Sequence, residues 1–170
     1  MLETICNDSD LLYLEIKDST IKDSGKGVFA KKKFERGDLL CEYRGVMLRG
    51  PTVGTDTTRD LHLTGTDLII RAEQCAASYV NDCIDFRKYT IEETRNYVIT
   101  RELLLAKGCS YNCAYVHVTG KMFVVATKNI EIGDELFVSY GNNYWAGKLF
   151  NKCYFTFPTS ETIARNLSVK

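Results

Sequence analysis

Apolar residues along the chain fall into short runs closed by polar turns, the pattern of β-strands rather than of long amphipathic helices. Residues 12–17, 27–30, 39–43, 68–71, 114–118 and 122–126 each read as a strand. Two of the turns echo each other. Ala30-Lys31-Lys32-Lys33-Phe34-Glu35-Arg36-Gly37-Asp38-Leu39 resembles Ala126-Thr127-Lys128-Asn129-Ile130-Glu131-Ile132-Gly133-Asp134-Glu135-Leu136, and a further strand is expected over 136–140. Glycine accepts positive φ and the aspartate beside it can bond the local backbone, so each unit reads as strand, turn, strand. The chain is therefore mainly β (α+β), with pseudo-symmetric hairpins or with two unrelated turns of like composition. One segment departs from this: Thr90 and Glu93 form a capping-box pattern, Gly108 is a C-cap, and Ile91, Val98 and Leu105 recur at heptad spacing. They predict a helix over 90–108, against the β propensity of Tyr97-Val98-Ile99-Thr100.

Length and composition narrow the setting. A chain of 170 residues, 45% hydrophobic and 26% charged, is expected to form one domain spanning 1–170. No apolar run approaches the roughly 18 residues a membrane span needs, and no basic flank followed by an apolar stretch opens the chain. Seven cysteines, an odd number, point to reduced thiols and a nuclear or cytoplasmic location. Only Cys109 and Cys113 sit at metal-ligand spacing, and His62 and His117 stand alone, so no metal site is expected. With 22 basic and 22 acidic side chains, the balanced charge argues against broad capture of nucleic acid. Lys31-Lys32-Lys33 reads as a solvated turn.

Four segments, in order, resemble the SET family of protein lysine methyltransferases. Ser24-Gly25-Lys26-Gly27-Val28-Phe29-Ala30 is similar to the family's Gly-x-Gly segment, and Glu42-Tyr43-Arg44-Gly45-Val46 to its Tyr-x-Gly strand end. Tyr79-Val80-Asn81-Asp82-Cys83 resembles Phe-Ile-Asn-His-Ser-Cys, completed by Asn112-Cys113-Ala114-Tyr115 where the family has Pro-Asn-Cys. Gly133-Asp134-Glu135-Leu136-Phe137-Val138-Ser139-Tyr140-Gly141 resembles the closing Gly-Glu-Glu-Leu…Tyr-Gly signature. The resemblance covers a core of 24–145 and implies small β-sheets around a C-terminal pseudoknot. Asp82 stands where the family has histidine, Tyr111 where it has proline, a segment of about 84–110 is inserted, and a cysteine-rich zinc-binding segment is not seen after Tyr140.

The resemblance implies transfer of a methyl group from S-adenosylmethionine to a lysine amine of a protein, with a histone tail as the family's commonest target. The attacking lysine must be neutral; burial lowers a lysine pKa by up to about 3–5 units, and a nearby sulfonium adds to that. By resemblance, Tyr140 orients the amine beside the methyl group, Tyr43 lines the lysine channel, and Tyr115 with Val138 narrows it, favouring a single methyl addition. Gly25, Lys26 and Gly27 would offer backbone groups to the cofactor, Asn81 and Asp82 would hold its amino-acid end, and Trp145 would stack on adenine. Taken alone, Tyr140 reads as a core tyrosine closing a strand, Trp145 equally as a core aromatic, and Asn81 equally as a turn residue. Acidic Asp82, Asp85, Glu92 and Glu93 would suit a basic peptide, while the 84–110 segment and the aromatic tail over 146–170 are places for partner contacts. The rival reading is a catalytically degenerate SET fold that binds protein, favoured by the missing histidine. A β domain of another family with chance Gly-rich turns is the third.

Overall fold

The structure is a computed structural model that describes residues 9–50, 59–63, 66–84, 89–90, 92–93, 96, 110–141 and 144–145. The chain divides into two compact units, Met1–Cys83 with Ser110–Ser139, and Ile84–Cys109 with Tyr140–Lys170.

In the first unit β1 (Leu14–Asp18) and β2 (Lys26–Ala30) form an antiparallel pair with Leu14 opposite Ala30 and Asp18 opposite Lys26. Six further strands follow: β3 (Leu39–Tyr43), β4 (Gly45–Arg49), β5 (Asp60–His62), β6 (Leu68–Ala72), β7 (Cys113–Val118) and β8 (Lys121–Ala126). They make two three-stranded antiparallel sheets in the orders β3-β8-β7 and β4-β6-β5. All six expected runs up to residue 126 are strands. Two strands go beyond those expected: β4, which opens at the glycine of the Tyr-x-Gly match, and β5, which spans only Asp60–His62. Short 3-10 turns, Ser9–Leu12 and Ala76–Tyr79, precede β1 and follow β6.

The internal echo is real and its two copies bond to each other. Phe34 N–H donates to Ile130 C=O at 3.0 Å and Ile130 N–H to Phe34 C=O at 2.9 Å. Ala30 N–H donates to Asp134 C=O, and its counterpart Ala126 N–H to Asp38 C=O, both at 2.9 Å. Gly37 N–H donates to Ala126 C=O and Gly133 N–H to Ala30 C=O, both at 2.8 Å. Within each copy the aspartate side chain closes the turn, Asp38 accepting from Glu35 N–H and Asp134 from Glu131 N–H at 2.9 Å. Gly37 and Gly133 hold φ of 100° and 90°, the left-handed region that a side chain resists. Phe34 and Ile130, at the centre of the pair, are 3% and 0% exposed.

These units are not hairpins, however, because β2 and β3 belong to different sheets. The stretch expected as a strand over 136–140 is not one either. Its hydrogen bonds go to three separate segments: Leu136 N–H to Val28 C=O, Val138 N–H to Asn81 C=O, and Cys113 N–H to Phe137 C=O. The result is a thread held by single bridges, Glu135 to Phe29 and Phe137 to Asn81. Leu136 and Val138 are fully buried with Val28, Val124 and Ile130, so the thread lies in the core of this unit.

In the second unit the capping box forms as expected: Glu93 N–H donates to the Thr90 hydroxyl at 3.1 Å, and Thr90 N–H to the Glu93 carboxylate at 2.8 Å. Glu92, Glu93 and Asn96 are helical. The rest of the expected helix, with Ile91, Val98, Leu105 and Gly108, lies outside the described residues, as does the tail over 146–170.

Candidate functional site

The first unit gathers the glycine segment, the asparagines and the thread. Asn81 follows the 3-10 turn, and its side-chain N–H donates to Lys26 C=O at 2.9 Å and, at a longer 3.4 Å, to the Glu135 carboxylate. Two acceptors on one side fix which end of the amide is nitrogen. The amide oxygen then points the other way, and no described residue hydrogen-bonds to it. Lys26 contributes its backbone here, since its ammonium pairs with Asp18 at 2.7 Å.

Gly25 and Gly27, read together from the sequence as room for a cofactor, have separate reasons. Gly25 holds φ of 72° with nothing within 4 Å of the place a Cβ would take. A Cβ on Gly27 would instead lie 2.1 Å from Glu135 Oε1 and 3.3 Å from Asn81 Nδ2. The space at Gly27 is taken by a carboxylate of the protein itself.

That carboxylate is only 6% exposed as a residue, and four donors meet it: the Ser19 hydroxyl at 2.7 Å, Thr20 N–H at 2.7 Å, the Thr20 hydroxyl and Asn81 N–H. Buried carboxylates persist when donors replace water in this way. Asn112 clasps the same stretch of thread, donating to Glu135 C=O and accepting from Phe137 N–H, each at 2.8 Å. Glu135, Asn112, Ser19 and Thr20 were not singled out from the sequence. The signals were the glutamate inside the Gly-Asp-Glu-Leu match and the asparagine inside the Asn-Cys match.

Asp82, 4% exposed, accepts from the Tyr111 hydroxyl at 2.8 Å. The two departures at the paired motif segments are thus partners, a buried acid meeting a new hydroxyl. Burial first, then the Asp82 charge, pushes the Tyr111 phenol far above its ordinary range. Buried as it is, Asp82 offers no surface to a basic peptide. Glu92 is exposed, and Asp85 lies outside the described residues.

Tyr43 ends β3 and Tyr115 lies on β7, the two strands flanking β8, and their rings meet edge-on with centroids 5.7 Å apart. Tyr43 is 6% exposed and its hydroxyl donates to Arg59 C=O. Burial, with smaller contributions from Cys75 and Asp60, raises its pKa well above the tyrosine range, so the phenol stays protonated as a donor. It lines a cleft of about 320 Å³ together with Glu42, Arg44, Met47, Glu73 and Lys121. Burial also pushes the Cys113 thiol up to about 12, which leaves it a packing group rather than a nucleophile. Cys41, Cys75, Cys83 and Cys113 are all free thiols, and no three His, Cys, Asp or Glu side chains gather as a metal site among the described residues.

Tyr140 and Trp145 belong to the second unit. Their rings stack with centroids 6.1 Å apart and 14° between planes, and Tyr144 meets both edge-on. Gly141, at φ of 82°, turns the chain so that Trp145 N–H reaches its carbonyl.

Comparison with known proteins identifies the pattern. The SET domain profile matches residues 25–141. Two structures of the Chaetomium thermophilum polycomb repressive complex 2, one of them a complex with two forms of H3, are similar over 76% of this chain at 18% identity, with TM-scores of 0.53 and 0.51. The match spans 14% and 15% of those chains. The methyltransferase domain of human PR domain-containing protein 2 matches over 75% of this chain and 76% of its own length, at 15% identity and a TM-score of 0.49. No curated protein sequence matches the chain.

Proposed function

The chain belongs to the SET-domain family, whose members are protein lysine methyltransferases, and from that premise we propose that it transfers a methyl group from S-adenosylmethionine to a lysine of a protein. The observation that carries the reading is the setting of Asn81. Its amide nitrogen is committed to Lys26 C=O and the Glu135 carboxylate, which leaves the amide oxygen as an acceptor suited to the ammonium of the cofactor's amino-acid end. The Lys26 backbone beside the Asn81 amide, and Gly25 before it with nothing within 4 Å of its Cβ position, leave room for that group. Gly27 serves it indirectly, by making room for Glu135.

The cofactor supplies a sulfonium-bound methyl group. Bound there, it would offer that methyl group to the lysine nitrogen, with the S–C electron pair left on sulfur and the amine proton lost to solvent. The protein has to hold a neutral lysine in line and exclude water. Tyr43, buried and protonated, is the hydroxyl that aligns the nitrogen; Tyr115, whose ring meets it edge-on, limits the width and favours one methyl addition. Tyr140 is assigned to the transferring methyl group and Trp145 to the adenine by their places in the motif. Histone H3 is the first substrate to try, since a SET relative of known structure was solved with H3. Free thiols at Cys41, Cys75, Cys83 and Cys113 suit action in the nucleus or cytoplasm.

The degenerate-module reading drew on the missing histidine, yet Asp82 is a hydrogen-bonded partner of Tyr111 rather than a decayed position. Titration of the protein with S-adenosylmethionine, followed by mass analysis of a histone mixture, separates the two. Saturable binding with added mass of one methyl group, abolished by Tyr140→Phe with binding kept, is the expected result. Binding without any transfer to protein would favour the module, and no binding at millimolar cofactor would overturn both cofactor and enzyme.

A further inference from the structure

We infer that Glu135 is the positioning residue of the cofactor's amino-acid end: its buried carboxylate sets the orientation of the Asn81 amide. The inference rests on the cofactor reading above but uses a residue that touches no cofactor. Three observations converge on it. Glu135 Oε1 lies on the nitrogen side of Asn81, where only an N–H is tolerated. The carboxylate is itself held rigid, Oε1 by the Ser19 hydroxyl and Oε2 by the Thr20 N–H and hydroxyl. Gly27 lacks the Cβ that would occupy the carboxylate's position, so the glycine segment is shaped around this contact.

The 3.4 Å contact is long for a strong hydrogen bond, and the Lys26 carbonyl at 2.9 Å is the closer partner. The charge matters more than the bond length. An amide turned the other way would present its oxygen to both a carbonyl and a carboxylate, and two acceptors facing the same oxygen repel it. With Glu135 in place the outward group is always the acceptor that an ammonium requires. A serine and a threonine before the glycine segment, and a glutamate after the Gly-Asp turn, thereby act on a side chain that none of them resembles in sequence position.

The chemistry allows a reciprocal swap. Asn81→Asp sets a carboxylate against Glu135 and loses the donor. Glu135→Gln in the same chain restores a donor between them, while the Ser19 hydroxyl can turn to accept and the Thr20 donors keep an oxygen. Calorimetric titration of the full chain with S-adenosylmethionine is expected to give at least tenfold weaker binding for each single variant. The double variant, in which the new carboxylate at position 81 would still face Lys26 C=O, is expected to bind more weakly than the parent but more tightly than the two losses multiplied. Parent-like binding by folded Glu135→Gln, or a double variant as weak as the two losses multiplied, would overturn the inference. If Glu135→Gln does not fold, Glu135→Asp keeps the charge but withdraws it from Asn81, and parent-like binding there overturns it equally.

A parent protein that binds no cofactor would sink the cofactor reading by itself. The orientation is then read in the free protein, from the side-chain amide protons of Asn81 in a nitrogen-edited spectrum, assigned by their loss in Asn81→Asp. A shift of those protons in Glu135→Gln supports the contact, and unchanged protons overturn it.

Discussion

The two echoing turns share every backbone bond across their junction and then part company at the next residue. After Asp38 comes Leu39, 60% exposed at the start of β3; after Asp134 comes Glu135, 6% exposed at the start of the thread. The apolar residue lies in water and the charged one in the core, the reverse of what hydropathy expects. A bulge between Leu39 and Cys41 shifts the register of the first copy, which stays paired in the sheet with Leu40 and Cys41 both buried. The second copy never returns to a sheet, and its bonds go to Val28, Asn81 and Cys113 in turn. One copy of the device makes framework and the other delivers a buried carboxylate to Asn81, so the chemistry sits where the symmetry fails.

The sharpest way to break that contrast is to exchange the hydropathy of the two positions. Glu135→Leu leaves hydroxyl and N–H donors of Ser19, Thr20 and Asn81 without their acceptor. A buried donor left unmade costs about 1–3 kcal/mol, so the expected loss is on the order of 3 kcal/mol or more in urea unfolding. Leu39→Glu, on an exposed position, is expected within about 0.5 kcal/mol of the parent. Equal losses at the two sites would mean that Glu135 is no more built into its surroundings than Leu39.

Next in size is Gly27→Ala, which tests whether the carboxylate or the cofactor claims that space. A Cβ 2.1 Å from Glu135 Oε1 forces the carboxylate to shift, at about 2–3 kcal/mol. The loss is expected in the protein without cofactor and should shrink when Glu135→Ala is added. A variant with normal stability and only weakened cofactor binding would return Gly27 to the cofactor wall.

The thread has a second buried carboxylate near it, and Tyr111→Phe asks how far Asp82 resembles Glu135. Removing the hydroxyl 2.8 Å from Asp82 takes away one donor and is expected to cost about 1–2 kcal/mol at neutral pH. Its pH signature has a definite sign. The Tyr111 phenol ionises near 10 when unfolded and at higher pH when folded, so above pH 10 the native state holds the extra proton. The parent should therefore lose stability as pH rises beyond 10, and Tyr111→Phe should lose it less steeply. Identical slopes in denaturant midpoints measured between pH 9 and 11 would remove the pair from the account.

What was legible in the sequence follows from range. Strands such as 68–71 and 122–126 carry their signal in adjacent residues, and the Gly37-Asp38 and Gly133-Asp134 turns carry theirs in a dipeptide. The capping box at Thr90 and Glu93 is local in the same way, and it forms. The thread carries no such signal, because Leu136-Phe137-Val138 has strand composition and only its partners make it something else. Tyr111 and Asp82, 29 residues apart, were each visible as a departure, but a pairing across that distance has no period to betray it. Glu135 was hidden by its chemistry: a glutamate beside a turn reads as solvated until Ser19 and Thr20 are seen to meet it.

The smallest effect tests the symmetry itself. Gly37→Ala and Gly133→Ala place a methyl group at φ of 100° and 90°, with nothing within 4 Å of either Cβ, so backbone strain is the whole cost. That strain is about 1 kcal/mol for a residue other than glycine in the left-handed region. If the two turns are equivalent as local structures, the two losses should agree within about 0.5 kcal/mol in urea midpoints. Cofactor affinity should separate them, since the second turn directly precedes Glu135 and the first precedes Leu39. A larger stability loss at Gly37 would make the turn feeding the sheet the stiffer of the two, and the equivalence of their hydrogen bonds would then be a likeness of geometry without a likeness of energy.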